Sequence, residues 1–91
     1  MDIATHIMNI LRSQPMVIIS WRISNVTITY DGLRFNVEAF KFRGQLEIIP
    51  LHDNLYDIVL MKRGEIVNII SEVEDSQLVY TIDNYIDKLA N

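Results

Sequence analysis

The stretch VIISWRISNVTITYDGLRFNVEAFKF, Val17 to Phe42, decides the reading of this chain. It is two runs rich in β-branched and aromatic residues, with Asp31-Gly32 between them. Asp-Gly between alternating apolar runs signals a two-residue hairpin turn, because both central positions need positive φ and glycine accepts that freely. The expectation is one long β-hairpin. Val17, Ile19, Trp21 and Ile23 alternate with Ile18, Ser20, Arg22 and Ser24, and then the apolar phase flips to Val26, Ile28 and Tyr30. In the return strand Leu33, Phe35, Val37 and Ala39 alternate with polar residues, and the phase then moves to Phe40 and Phe42. A turn at Asp31-Gly32 sets Ile28 opposite Phe35 and Trp21 opposite Phe42. Register matters because a slip of one residue would move every side chain to the other face. The matched phase changes near Ser24-Asn25 and Glu38-Ala39 mean either a swap of buried face along the ribbon or a bulge in each strand. The face swap needs no extra residues and is preferred.

Outward from the hairpin, the helical spacing of Ile3, Ile7, Ile10 and Leu11 predicts an N-terminal helix over about residues 2–13, capped by Asp2. Pro15 ends it, since the residue before a proline avoids the α region. After the hairpin, Arg43-Gly44 reads as a turn. Strands follow at Leu46–Leu51, Tyr56–Met61 and Glu65–Ser71, with turns at His52-Asp53-Asn54 and Lys62 to Glu65. Asp75 or Ser76 caps a C-terminal helix whose buried stripe is Leu78, Val79, Ile82, Tyr85, Ile86 and Leu89, with Asp83 and Asp87 facing out. The whole chain, residues 1–91, reads as a single α+β domain. Its parts are an N-terminal helix, an antiparallel meander of four to five strands centred on the long hairpin, and a C-terminal helix, with both helices on one face of the sheet.

The chain is 49% hydrophobic with only three glycines and two prolines, which marks a globular domain. It has no cysteine, so disulfide scaffolds, thiolate nucleophiles and zinc-thiolate sites are excluded. The N-terminus has no basic segment or small-residue cleavage site, and no run approaches a membrane span. A soluble cytoplasmic protein without a membrane partner is expected. The net charge is −4. Residues 1–64 carry seven Lys/Arg against six acids, whereas residues 65–91 carry one against six, which disfavours broad contact with nucleic acid.

No motif for chemistry stands out. His6 and His52 are the only histidines, and His52 beside Asp53 reads as turn chemistry before it reads as a base or metal ligand. The serines lie in no nucleophile elbow, and glycines 32, 44 and 64 fall in separate turns that build no phosphate loop. The chain is read as a non-enzyme with no cofactor and no metal. Ser13-Gln14-Pro15, Trp21 and Gly32-Leu33-Arg34-Phe35 give the first half a resemblance to short single-domain proteins of unknown function carried by bacteria and their mobile elements. It carries over no functional residue.

Two surfaces follow. If the ribbon swaps faces, Val26, Ile28, Tyr30, Leu33, Phe35 and Val37 share one face that two short helices would leave open. That is a larger apolar patch than monomers usually expose, and a homodimer is the simplest cover. Arg22, Arg34, Lys41 and Arg43, interleaved with Trp21, Phe40 and Phe42, form a candidate basic surface. The functional expectation is a small protein-interaction, regulatory or accessory module that binds itself and another protein. The alternative is a nucleic-acid-binding module using the basic strand residues.

Overall fold

A computed structural model describes residues 3–87. The elements in order are α1 (Ile3–Arg12), α2 (Pro15–Ile18) running into a 3-10 turn (Ile19–Trp21), β1 (Ser24–Ile28), β2 (Leu33–Glu38), β3 (Arg43–Pro50), β4 (Leu55–Lys62), β5 (Glu65–Glu74), a second 3-10 turn (Asp75–Gln77) and α3 (Leu78–Ile86). The five strands form one antiparallel sheet in sequence order. Period-two alternation places Leu33, Phe35 and Val37 of β2, Leu46 and Ile48 of β3, and Tyr56, Ile58 and Leu60 of β4 on one face. These join Ala4, Ile7 and Leu11 of α1 and Leu78, Val79, Ile82 and Ile86 of α3 in a single core. The α+β class and the meander between two helices match the sequence reading. Asp2 and Leu89 lie outside the described residues.

The long hairpin does not form. Residues 17–21, expected as strand, are helical, and β1 begins only at Ser24. Pro15 explains why: it occupies the first turn of α2, where its fixed φ favours a helix and its missing N–H is no loss. Met16 to Ile19 is apolar on every side, and such a run is not assigned by periodicity alone. Coiling it turns Trp21 fully into the core and leaves Met16 and Ile19 outside. Arg22 ends the coil in the left-handed region at φ 53°.

The turn is also displaced. Ile28 pairs with Leu33, not Phe35, and the Thr29 N–H donates to the Gly32 carbonyl across 3.0 Å. The reversal is therefore centred on Tyr30-Asp31. The shift of two residues preserves which side chains share a face and changes only their partners. Gly32 does not supply positive φ there. Its role is close approach: a Cβ on it would run into the Ile48 carbonyl oxygen and lie 3.0 Å from Ile48 C and 3.2 Å from Ile49 Cα.

The two phase changes have separate causes. In β1 the irregularity is a bulge between Ser24 and Thr27, with Asn25 at φ 53°. After β2 the chain leaves the sheet in a tight reversal over Ala39–Phe42, closed by the Ala39 N–H on the Phe42 carbonyl at 3.0 Å. Trp21 and Phe42 are not strand partners. Arg43-Gly44, expected as a turn, is the start of β3.

The outward face of α3 also differs from expectation. Asp83 and Asp87 are half-buried anchors. Asp83 Oδ1 accepts the Trp21 indole N–H at 2.9 Å, and Asp87 accepts the Phe40 amide at 2.9 Å and the Ser20 hydroxyl. The Ile86 carbonyl takes the Lys41 amide at 2.7 Å and the Asn84 carbonyl takes its ammonium at 2.9 Å. A helical wheel shows only where apolar residues fall, so these tertiary acceptors looked like solvated charge.

Candidate functional site

The six residues expected to share an open apolar face divide between two environments. Leu33, Phe35 and Val37 are buried in the core, because β2 lies inside the sheet and its inner face is covered. Val26, Ile28 and Tyr30 are exposed along the short edge strand β1 and its turn. No single patch contains all six, and Phe35 is not available to a partner.

The four basic residues divide as well. Arg34 projects from the opposite, outer face of the sheet, where its Nη2 lies 2.9 Å from Glu47 Oε1. Glu47 is itself buried and also accepts the Thr29 hydroxyl at 3.1 Å. Arg22 and Arg43 line one hollow with Phe40 at the end of the molecule, and Lys41 lies at the same end. Lys62 and Arg63, which the sequence reading left as turn residues, join them there beside Arg43. Lys62 Nζ sits 5.3 Å above the Phe42 ring, and Phe42 meets Tyr85 edge-on at 6.4 Å.

A surface absent from the sequence reading lies on the outer face and along β5. Cross-strand pairing aligns Arg34, Glu47, Val59 and Ile69 in one row and Asn36, Gln45, Met61 and Ile66 in the next. Val59 and Met61 are not part of the helix-covered core cluster. Val59 and Met61 are each only 9% exposed, whereas Ile66 and Ile69 are 60% and 49% exposed, so the open apolar surface lies along the sheet edge. That edge is β5, ten residues long, with its ladder to β4 interrupted at Val67 and near Ser71-Glu72, where Glu72 has φ 57°. From Ile66 to Ser71 it carries no charge and no proline. The other edge, β1, has only five residues, and so short an edge discourages strand addition. The signal was present in the sequence as EIVNIIS, but which strand forms an edge is a property of sheet order.

The remaining titratable groups are spread out. His52 Nδ1 lies 3.1 Å from Asp53 Oδ2 on an open turn, with both side chains more than four-fifths exposed. Among the described residues no group of three or more His, Cys, Asp or Glu is arranged to hold a metal ion. Tyr56 is buried where β4 meets the second 3-10 turn, and burial, with the nearby Asp75 carboxylate, raises its hydroxyl above the usual 10.0. No helix among the described residues is long and apolar enough to cross a membrane.

Family models, curated proteins and solved structures were each compared with this chain, and none matches it.

Proposed function

We propose that the chain is a small protein-interaction module of accessory or regulatory type that works as a homodimer, joined edge to edge through β5. The observation that carries this is the uncharged, proline-free edge from Ile66 to Ser71, along which Ile66, Val67 and Ile69 are exposed. An exposed edge strand presents a row of backbone donors and acceptors that templates another strand. A second copy is the occupant that the sequence of this edge fits best. Antiparallel pairing about Asn68 lays the Ile66–Ser71 stretches of the two copies side by side. It also brings the Lys62-Arg63 turn of one copy beside Glu72 and Glu74 of the other, twice over by symmetry. The joined sheets form one ten-stranded surface, and its outer face, with Arg34, Glu47, Asn36 and Gln45 on β2 and β3 and the exposed Ile66 and Ile69 on β5, is where a further protein would rest.

Nucleic-acid binding has less support, because Arg34 is neutralised by Glu47 and is separated from Arg22, Lys41 and Arg43.

Sedimentation velocity over a concentration series tests the dimer. Wild type is expected to dimerise, and Ile69→Lys to be monomeric with unchanged far-UV circular dichroism. Arg63→Glu is expected to weaken the dimer, and adding Glu72→Arg to restore it. A wild type that stays monomeric at the highest concentration removes the reading.

A further inference from the structure

We infer that the end of the molecule carrying Met16, Ile19 and Phe40 docks on an anionic phospholipid surface. The three side chains are 83%, 73% and 71% exposed. Met16 and Ile19 lie three residues apart on the continuous coil of α2 and its 3-10 turn, and Phe40 is in the β2–β3 reversal. The Asp87 carboxylate clasps the two segments together through the Ser20 hydroxyl and the Phe40 amide. The result is an apolar tip built from two turns.

A turn can enter the headgroup region cheaply only if its backbone polar groups are already satisfied. Here they are. The Ala39, Phe40 and Lys41 amides go to the Phe42 carbonyl, the Asp87 carboxylate and the Ile86 carbonyl. The Val17 and Ile18 amides go to the Gln14 carbonyl, and the Arg22 amide to the Ile19 carbonyl. The same feature argues against an extended peptide as occupant, since strand addition needs free backbone groups. Stacking of nucleobases needs aromatic faces in series, and the exposed aromatics at this end, Phe40 and Tyr85, line separate hollows.

Charge selects the sign of the surface. Arg22 and Arg43 flank Phe40 in one hollow, whose acids are Glu38 and the already engaged Asp87. Lys41 keeps its charge, because its partner is a neutral carbonyl, and Lys62 shares a second hollow with it. At the other end of the strands, Asp31, Asp53, Asp57, Glu72 and Glu74 gather around the β3–β4 turn and the end of β5, while Asp75 and Asp83 line a hollow with Gln14 and Val17 on the α2 side, Asp83 being already engaged by the Trp21 indole. A negative surface therefore attracts the apolar tip and repels the opposite end. The expectation of no membrane partner rested on the lack of a spanning run, which surface docking does not require. Met16, Ile19, Phe40, Arg22 and Arg43 take no part in the β5 pairing, so variants at these residues test docking apart from dimerisation, and Lys62 alone serves both.

Flotation of the full chain with phosphatidylcholine vesicles, and with vesicles also containing phosphatidylserine, tests the inference. Binding is expected only to the second kind, and to weaken as salt rises. Arg22→Gln and Arg43→Gln are each expected to weaken it about fivefold, in line with ~1 kcal/mol per basic residue at an anionic surface. Ile19→Ser with Phe40→Ser is expected to abolish flotation while circular dichroism is unchanged. No flotation with phosphatidylserine, or undiminished flotation of the Ile19→Ser, Phe40→Ser variant, overturns the inference. So does tight binding of a single-stranded oligonucleotide in the same buffer with none to vesicles.

Discussion

Gly32→Ala is the sharpest test of how the hairpin sits on the rest of the sheet. The added methyl would strike the Ile48 carbonyl oxygen, and its next neighbours are Ile48 C at 3.0 Å and Ile49 Cα at 3.2 Å. All three are backbone atoms of β3, so no side-chain rotation relieves the contact. The β1–β2 turn must lift from β3, straining the Leu33–Ile48 pairing at the start of that ladder. Overpacking of this kind costs ~1–3 kcal/mol. One weakened backbone hydrogen bond adds about 0.5–1.5 kcal/mol. The expected loss is then about 2–4 kcal/mol, a large share of the ~5–15 kcal/mol typical of a whole domain. Gly64→Ala is the comparison. Gly64 has φ +81° with open space around its Cβ position, so only backbone strain applies, about 1–2 kcal/mol. Urea unfolding of both variants, followed by Trp21 fluorescence, should rank Gly32→Ala as the more damaging. A Gly32→Ala protein within ~0.5 kcal/mol of wild type, the range of an ordinary surface change, would refute the close-approach argument.

Other perturbations probe the helical layer and the alkaline limb. Ile82→Ala removes a buried side chain from α3 and should cost about 2–5 kcal/mol, read as a lower unfolding midpoint. Asp83→Ala leaves the buried Trp21 indole N–H without its acceptor and should cost about 1–3 kcal/mol, with a shift in Trp emission. Tyr56 has a folded pKa raised above its unfolded value of 10.0, so its folded state disfavours ionisation. Its contribution is fully present below pH 10.0 and is lost as pH rises from there through the folded pKa. Denaturant midpoints measured across that window should fall for wild type, and Tyr56→Phe should lack that part of the fall.

Much of the architecture was legible because it rests on local pattern. The alternation in β2, β3 and β4 and the stripe Leu78, Val79, Ile82 and Ile86 each point to one buried face. What misled the sequence reading were places where two local signals compete. Asp31-Gly32 has the composition of a tight turn, yet the chain reverses one residue earlier, because Gly32 is needed where β3 passes close by. Val17 to Trp21 has strand composition, yet Pro15 starts a helical turn, and only that coil seats Trp21 in the core. The candidate surfaces were less legible still. Residues on β2 were assigned to an interface because nothing in a sequence says which strand is interior. The edge β5 and the joining of Arg22, Lys41, Arg43, Lys62 and Arg63 at one end appear only once the meander is laid out.

The bond from Trp21 to Asp83 ties positions 62 apart in the chain. Every strand pairs with its sequence neighbour, so each hairpin closes a short loop and the meander can zip up quickly. Bringing Trp21 against α3 instead requires the whole meander between them to be in place or to be closed as one long loop, at greater entropic cost. The expected order of assembly is therefore sheet first, then the two ends of the chain together. Trp21 is the single tryptophan and is wholly buried at that junction. Its quantum yield in a stopped-flow experiment is then a clock for the last event in folding, trailing the far-ultraviolet signal of the strands.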